Sequence, residues 1–225
     1  MLEQLLAAAF TAHPYGRPVV GWPSDLATFS ATDALKFWET YYTPANMAIA
    51  IVGDVKASEA LPMLEAYFGR LPKGAKPAPL STVEPKQFAE RTVIMRETAQ
   101  PFYAEGYHRP DVFDKDDAVY EAIADLMSTG RTARLYRSLV RDKKIAAASG
   151  GFSGMPGRKY PHLFAFYAVP TPGVVPQQVR AAIHEELERL KNSLVTDEEL
   201  QMVRARAKMR LLTSLGSNQS LAIAM

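Results

Sequence analysis

Residues 73–86 read KGAKPAPLSTVEPK, and from Pro72 through Pro85 the stretch carries four prolines and no hydrophobic period. Proline fixes φ and has no amide hydrogen to donate, so no helix or central strand runs through such a segment. It reads as a linker that splits the chain into two parts. The first part reads helix, loop, helix, strand, helix. The second reads two strands, two helices, two strands and two helices. Sequentially paired strands with segregated helices predict an α+β fold: an antiparallel sheet with helices packed on one face.

Several elements carry their own boundaries. The first helix spans roughly residues 1–12 and stops before Pro14. In FSATDALKFWETYY, Ser30 and Asp33 stand at capping-box spacing, with Phe37, Trp38 and Tyr41 on the apolar side. NMAIAIVGD, 46–54, is almost continuously apolar and reads as a strand buried on both faces. SEALPMLEAYFGRLP is a helix with Gly69 at its C-terminal end. RTVIMRE, PFYAEGYHRP, IAAASGGFSGMPG and HLFAFYAVP read as strands. DDAVYEAIADLMSTG and TARLYRSLVRDKK read as helices. Pro176 opens another, and Thr196 with Glu199 repeats the capping-box spacing before the last.

Composition narrows the function. The chain has 225 residues, 48% hydrophobic and 22% charged, with a formal net charge of +2. The basic runs RDKK and RARAKMR are short and lack interleaved aromatics, so nucleic acid is not an expected partner. No apolar run is long enough to span a membrane. The chain has no cysteine, which excludes disulfides, thiolate zinc sites and a cysteine nucleophile. The opening MLEQLLAAAF has no basic region and contains Glu3, so it reads as the tail of an amphipathic helix rather than a signal peptide. Both ends of the chain look cut from something longer.

The stretch HPYGRPVVGWP, 13–23, raises the question of whether His13 is a ligand or part of a corner. The prolines and glycines build sharp turns, and no second ligand stands one helical turn away, so His13 reads as structural. A hydrolytic zinc site needs imidazoles and a carboxylate converging on one ion. The near miss is HEELE, 184–188: His184 and Glu188 are four apart, but Leu187 and Glu188 occupy the positions that HxxEH or HExxH would require to differ. His184 is expected on the solvated face of its helix. His108 and His162, each at a strand end, are expected as satisfied structural residues. SGGFSGMPG lacks the GK[ST] ending of a phosphate loop, and Gly130 has no phosphate-loop spacing. Tyr15, Trp22, Phe37 and Trp38 are expected to pack the core of the first part.

Three blocks nevertheless resemble a family. AAAFTAHPYGRPVVGWPSDL, then YYTPANMAIAIVGDV with LPMLEAYFGRLP, then STGRTARLYRSLVRDKKIA are similar to the insulinase/pitrilysin zinc peptidases, in the bacterial branch related to mitochondrial processing peptidase. The resemblance implies repeated α+β units, with two halves closing over an unfolded peptide. It implies residues 1–72 as the C-terminal part of the catalytic-type unit, 73–88 as the linker, and 89–225 as a second, non-catalytic unit truncated at its C-terminus.

The family's HxxEH helix and downstream Glu would precede residue 1. The resemblance thus implies no catalytic and no metal-binding residue in this chain, no cofactor within it, and zinc in a full-length parent. That zinc would activate water for attack on a peptide bond. Many members also hold substrate with an Arg and a Tyr in a pattern like LRxxxxLAY. Here the stretch is LVRDKKIAA, which places Val140 and Ala147 at those positions, with Arg141 one residue off. Neither side chain binds a peptide carbonyl, so no substrate-binding residue is assigned.

The resemblance then implies a chain forming chamber wall and subunit contacts in an endopeptidase. Its partners would be a peptide or protein substrate and either a second family subunit carrying the Arg/Tyr pair or another copy of itself. The alternative is a scaffold or substrate-holding relative that has lost catalysis. A periplasmic location is favoured, with the cytoplasm the other choice.

Overall fold

The computed structural model describes all residues, 1–225, and the chain forms two compact units. Unit 1 comprises Met1–Val19 and Thr82–Arg204, and unit 2 comprises Val20–Ser81 and Ala205–Met225. No helix is long and apolar enough to cross a membrane.

Unit 1 is built on three antiparallel strands, β1 (Tyr103–Arg109), β2 (Ala146–Met155) and β3 (His162–Pro170). Their order is β1-β3-β2, so β3, the most apolar, is central. Because side chains alternate along a strand, Phe164, Phe166 and Ala168 share one face of β3 and Leu163 points to the other. Over the first face lie α5 (Asp117–Ser128), a π-helical segment (Tyr136–Asp142) and α6 (Pro176–Asn192). With Leu135, which immediately precedes the π-helical segment, they contribute Met127, Leu139, Val179, Ala182 and Ile183 to one buried cluster with those β3 residues. The α+β architecture follows from this single apolar layer. On the other face, Leu163 packs with Leu6 and Phe10, the latter following α1 (Leu2–Ala9).

TARLYRSLVRDKK forms a wider turn than the ordinary helix expected for it. The Lys143 amide bonds the carbonyl of Ser138, five residues back, at 2.9 Å. Lys144 then adopts φ +54, which ends the segment and turns the chain into β2. The wide turn keeps both Ser138 and Leu139 buried. At the start of α6, Pro176 takes the first helical position and Gln178 Oε1 accepts the Val175 amide at 3.0 Å.

The last long helix, α7 (Asp197–Ser214), begins on the box anticipated for it. Thr196 Oγ1 accepts the Glu199 amide at 3.2 Å, and Glu199 Oε2 accepts the Thr196 amide at 3.0 Å. The Arg134 guanidinium grips the same carboxylate with two bonds, at 2.8 and 2.7 Å. This pairing holds the Glu199 carboxyl down to about 2, against the opposing effect of burial.

Unit 2 contains α2 (Pro23–Thr28), α3 (Ala31–Tyr41), α4 (Ala57–Phe68) and α8 (Asn218–Ala224). Ser30 and Asp33 form the expected box at α3, with bonds of 3.3 and 3.0 Å. Gly74 adopts φ +67 against Thr43, where a Cβ would stand 2.6 Å from that side chain, so the turn requires glycine.

Two expected strands are absent. Residues 47–52 and 91–97 lie outside regular structure, and Met47, Ile49, Ile51, Val93, Ile94 and Met95 are exposed. A strand takes its hydrogen bonds from a neighbour, and no segment of this chain pairs with either. Trp22, Phe37 and Trp38, expected in a core, are likewise about half exposed. Every fully buried hydrophobic side chain belongs to unit 1.

Candidate functional site

The corner at His13 is built by local turns and one distant carboxylate. Pro14 starts a single 3-10 turn, Pro14–Gly16, and His13 caps it: its Nδ1 accepts the Tyr15 amide at 3.1 Å. The imidazole is 5% exposed. The rings of Tyr15 and Tyr160 stand 4.4 and 5.1 Å from it. Preceding it, the amides of Thr11, Ala12 and His13 all donate to Glu84, at 2.8, 2.9 and 2.8 Å. Thr11 Oγ1 adds a fourth bond at 2.8 Å. Burial alone would raise the Glu84 carboxyl, but these donors outweigh it and hold the group at about 2. Glu84 sits in the Pro-rich stretch, where periodicity and motif spacing are silent. The carboxylate is found only once the fold brings it across 71 residues of sequence to His13.

The other histidines are also engaged. His108 sets Nε2 3.0 Å from the Ala9 carbonyl and packs edge-on to Phe10 at 5.1 Å. His162 is fully buried and donates from Nδ1 to the Tyr160 carbonyl at 2.9 Å. Its Nε2 has no partner. His184 stays partly solvated, its side chain 41% exposed, and also takes a partner. Its Nε2 lies 2.8 Å from Glu105 Oε2, because α6 crosses β1 and brings together residues 79 apart. Glu105 also accepts the hydroxyls of Tyr103 at 2.6 Å and Tyr107 at 3.2 Å. Burial first, then the adjacent carboxylate, pushes both phenols well above their usual range.

A second polar group lies at the end of β1. Arg109 is fully buried, donates to Asp117 and Ser153, and sets its guanidinium carbon 4.3 Å from the Tyr120 ring centroid. Arg158 reaches Asp117 at 2.9 Å and Glu121 at 3.4 Å. The sequence did carry a signal for this row. In YAEGYHR the odd positions Tyr103, Glu105, Tyr107 and Arg109 share one strand face, opposite Ala168, Phe166, Phe164 and His162 of β3.

His162 stands opposite Arg109 in the β1–β3 register. Burial lowers its affinity for a proton; Arg109 and Arg158 add to this, while the Tyr160 bond and Asp117 oppose it. The unfolded ring protonates near 6.5 and the folded ring only at lower pH. The stabilisation is therefore present above that value and is lost as pH falls through the folded value. We expect the melting temperature to fall between about pH 7.5 and 5, with a smaller fall in His162→Asn. Identical slopes in the two proteins would refute the assignment.

Val140 packs against the buried cluster, and Ala147 is exposed at the start of β2. Arg141, one position from Val140, is exposed and paired with Asp142 at 2.6 Å. No group of three His, Asp or Glu side chains converges in a way that could hold a metal ion. The His13 and His162 rings each spend a nitrogen on the backbone, and the acids beside His162 are tied to arginines. These residues form capping and ion-pair networks.

Comparison with known proteins places this arrangement. Residues 28–207 match the family described as the peptidase M16 inactive domain. The chain belongs to the peptidase M16 family. Among relatives, the zinc protease PqqE of Helicobacter pylori is 28% identical over 219 residues, 95% of this chain and 49% of that protein. A crystal structure of a protease from Helicobacter pylori superimposes with a TM-score of 0.89 at 26% identity, covering 97% of this chain and 53% of that one. The M16 inactive domain of Pseudomonas fluorescens shares the fold at a TM-score of 0.78 and 21% identity, over 98% of this chain and 52% of that one. The chain thus spans about half the length of the curated relatives it matches. As an M16 inactive domain it agrees with the insulinase/pitrilysin resemblance of its three sequence blocks. All three strands of the sheet and the helices over them lie within the matched segment.

Proposed function

We propose that this M16 inactive domain is the non-catalytic part of a zinc-dependent endopeptidase, forming chamber wall and subunit contacts. The observation that carries the reading is the match of residues 28–207 to the inactive domain, together with similarity to a zinc protease about twice as long. In this reading zinc and its ligands belong to parts of the parent outside this chain, because the side chains present here are committed to other bonds. Residues 1–72 end the catalytic-type unit, 73–88 link, and 89–225 form the non-catalytic unit.

The substrate is an unfolded peptide, and its second point of attachment comes from a partner subunit carrying the Arg/Tyr pair. This last point is supported by Val140, which packs inward, and Ala147, which offers only a methyl group. Neither supplies a donor for a peptide carbonyl.

Zinc analysis and peptide hydrolysis, measured on this chain and on its full-length parent, test the proposal. We expect neither zinc nor hydrolysis in the chain alone; in the parent we expect both, together with an HxxEH motif before the segment matching residue 1. Stoichiometric zinc in the isolated chain would overturn the assignment. A parent without HxxEH would replace it with the scaffold reading.

A further inference from the structure

The capping bond of His13 dictates its chemistry. The Tyr15 amide can only donate, so Nδ1 must be the unprotonated nitrogen and the ring hydrogen sits on Nε2. Nε2 is buried and has no acceptor. A second proton can only go to Nδ1, where it would face the Tyr15 N–H donor. The ring would then lose its cap and leave two buried donors unsatisfied. The His13 amide is also one of the three that hold Glu84, so a ring that swings out pulls on that carboxylate's site.

The charged and titratable groups around the ring come from four elements: Tyr15 on its own turn, Glu84 from the Pro-rich segment, Tyr160 from the loop before β3, and His108 on β1 across Phe10. Only Glu84 carries a charge that favours the imidazolium, and burial outweighs it. Arg91 Nη1, 2.8 Å from the Ala8 carbonyl, makes a second tie between the same two chain segments.

We propose that His13 and Glu84 form an acid-released latch fastening residues 82–91 to the loop at residues 11–13. At neutral pH the capped ring holds the three amides in line for the carboxylate. When the ring takes its second proton, the 3-10 turn opens and the amides separate from Glu84. Glu84 itself stays ionised throughout, so the histidine is the trigger and the carboxylate the bolt.

Amide hydrogen exchange of the whole chain, corrected for intrinsic rates, tests this. Protection of Thr11, Ala12 and His13 should fall about tenfold or more between about pH 7.5 and 5 in the wild type. His13→Asn keeps a side-chain acceptor for the Tyr15 amide without a titrating ring. In that variant protection should be independent of pH. Glu84→Gln should lower protection at both pH values while leaving the β3 amides protected. Wild-type protection that does not change with pH, or a His13→Asn variant that keeps the wild-type dependence, would overturn the latch.

Discussion

Arg109→Ala is expected to cost about 3–5 kcal/mol of stability, the range for removing one partner of a buried ion pair. The arginine side chain is 0% exposed, and its Asp117 partner 19%. The guanidinium does three things at once. It neutralises Asp117, fills the space against Tyr120, and donates to the Pro110 carbonyl at 3.3 Å. After truncation Arg158 still reaches Asp117 and Glu121, which favours the lower part of the range. Removing both charges with Arg109→Leu and Asp117→Leu together should cost less than Arg109→Ala alone, because Asp117 is then not left with only the half-exposed Arg158 as its partner. Urea unfolding followed by circular dichroism measures both variants against the wild type. A loss below about 1 kcal/mol for Arg109→Ala would show that the pair is solvated in solution.

Phe166→Ala should be of similar size, about 3–5 kcal/mol, for a different reason. The ring is 1% exposed at the middle of β3. It packs edge-on to Phe164 at 4.9 Å and stands 6.5 Å from Tyr107. Truncation removes apolar burial and leaves a cavity that the sheet and α6 cannot close. Phe37→Ala provides the contrast. Phe37 is 57% exposed and touches mainly Tyr41, with ring centroids 4.5 Å apart. Its loss should stay within about 0.5 kcal/mol. Equal effects at the two positions, in the same unfolding assay, would mean that Phe37 is covered in solution.

The two phenylalanines also mark what a sequence conveys. Both sit in apolar patterns, and FSATDALKFWETYY is as persuasive a helix as HLFAFYAVP is a strand. The helix does form, because Ser30 and Asp33 are three residues apart and cap it without outside help. Its burial does not follow, because burial needs a second surface. NMAIAIVGD makes the same point more strongly. Its composition is that of a buried strand, yet residues 47–52 find no neighbour with which to pair. β2 and β3 were readable because they follow one another and pair directly, Phe152 opposite Ala165 and Gly150 opposite Tyr167.

The polar networks were the least legible part of the candidate site. Glu84 lies in the stretch read as a linker, yet it makes four bonds to residues more than 70 positions away. His184 was placed on the solvated face of its helix, where its side chain is 41% exposed, but its partner Glu105 comes from β1 and was not visible from the helix alone.

What the sequence determined by itself is therefore local or cumulative. The helix starts at Ser30, Thr196 and Pro176 depend on partners within three residues. The M16 membership depends on blocks spread along the chain. The tertiary structure alone decided which apolar segments became strands, which arginine was buried and which carboxylate closed the His13 corner. Strand pairing, ion-pair burial and capping by a distant side chain each need a partner remote in sequence, and only the folded chain brings it within hydrogen-bonding distance.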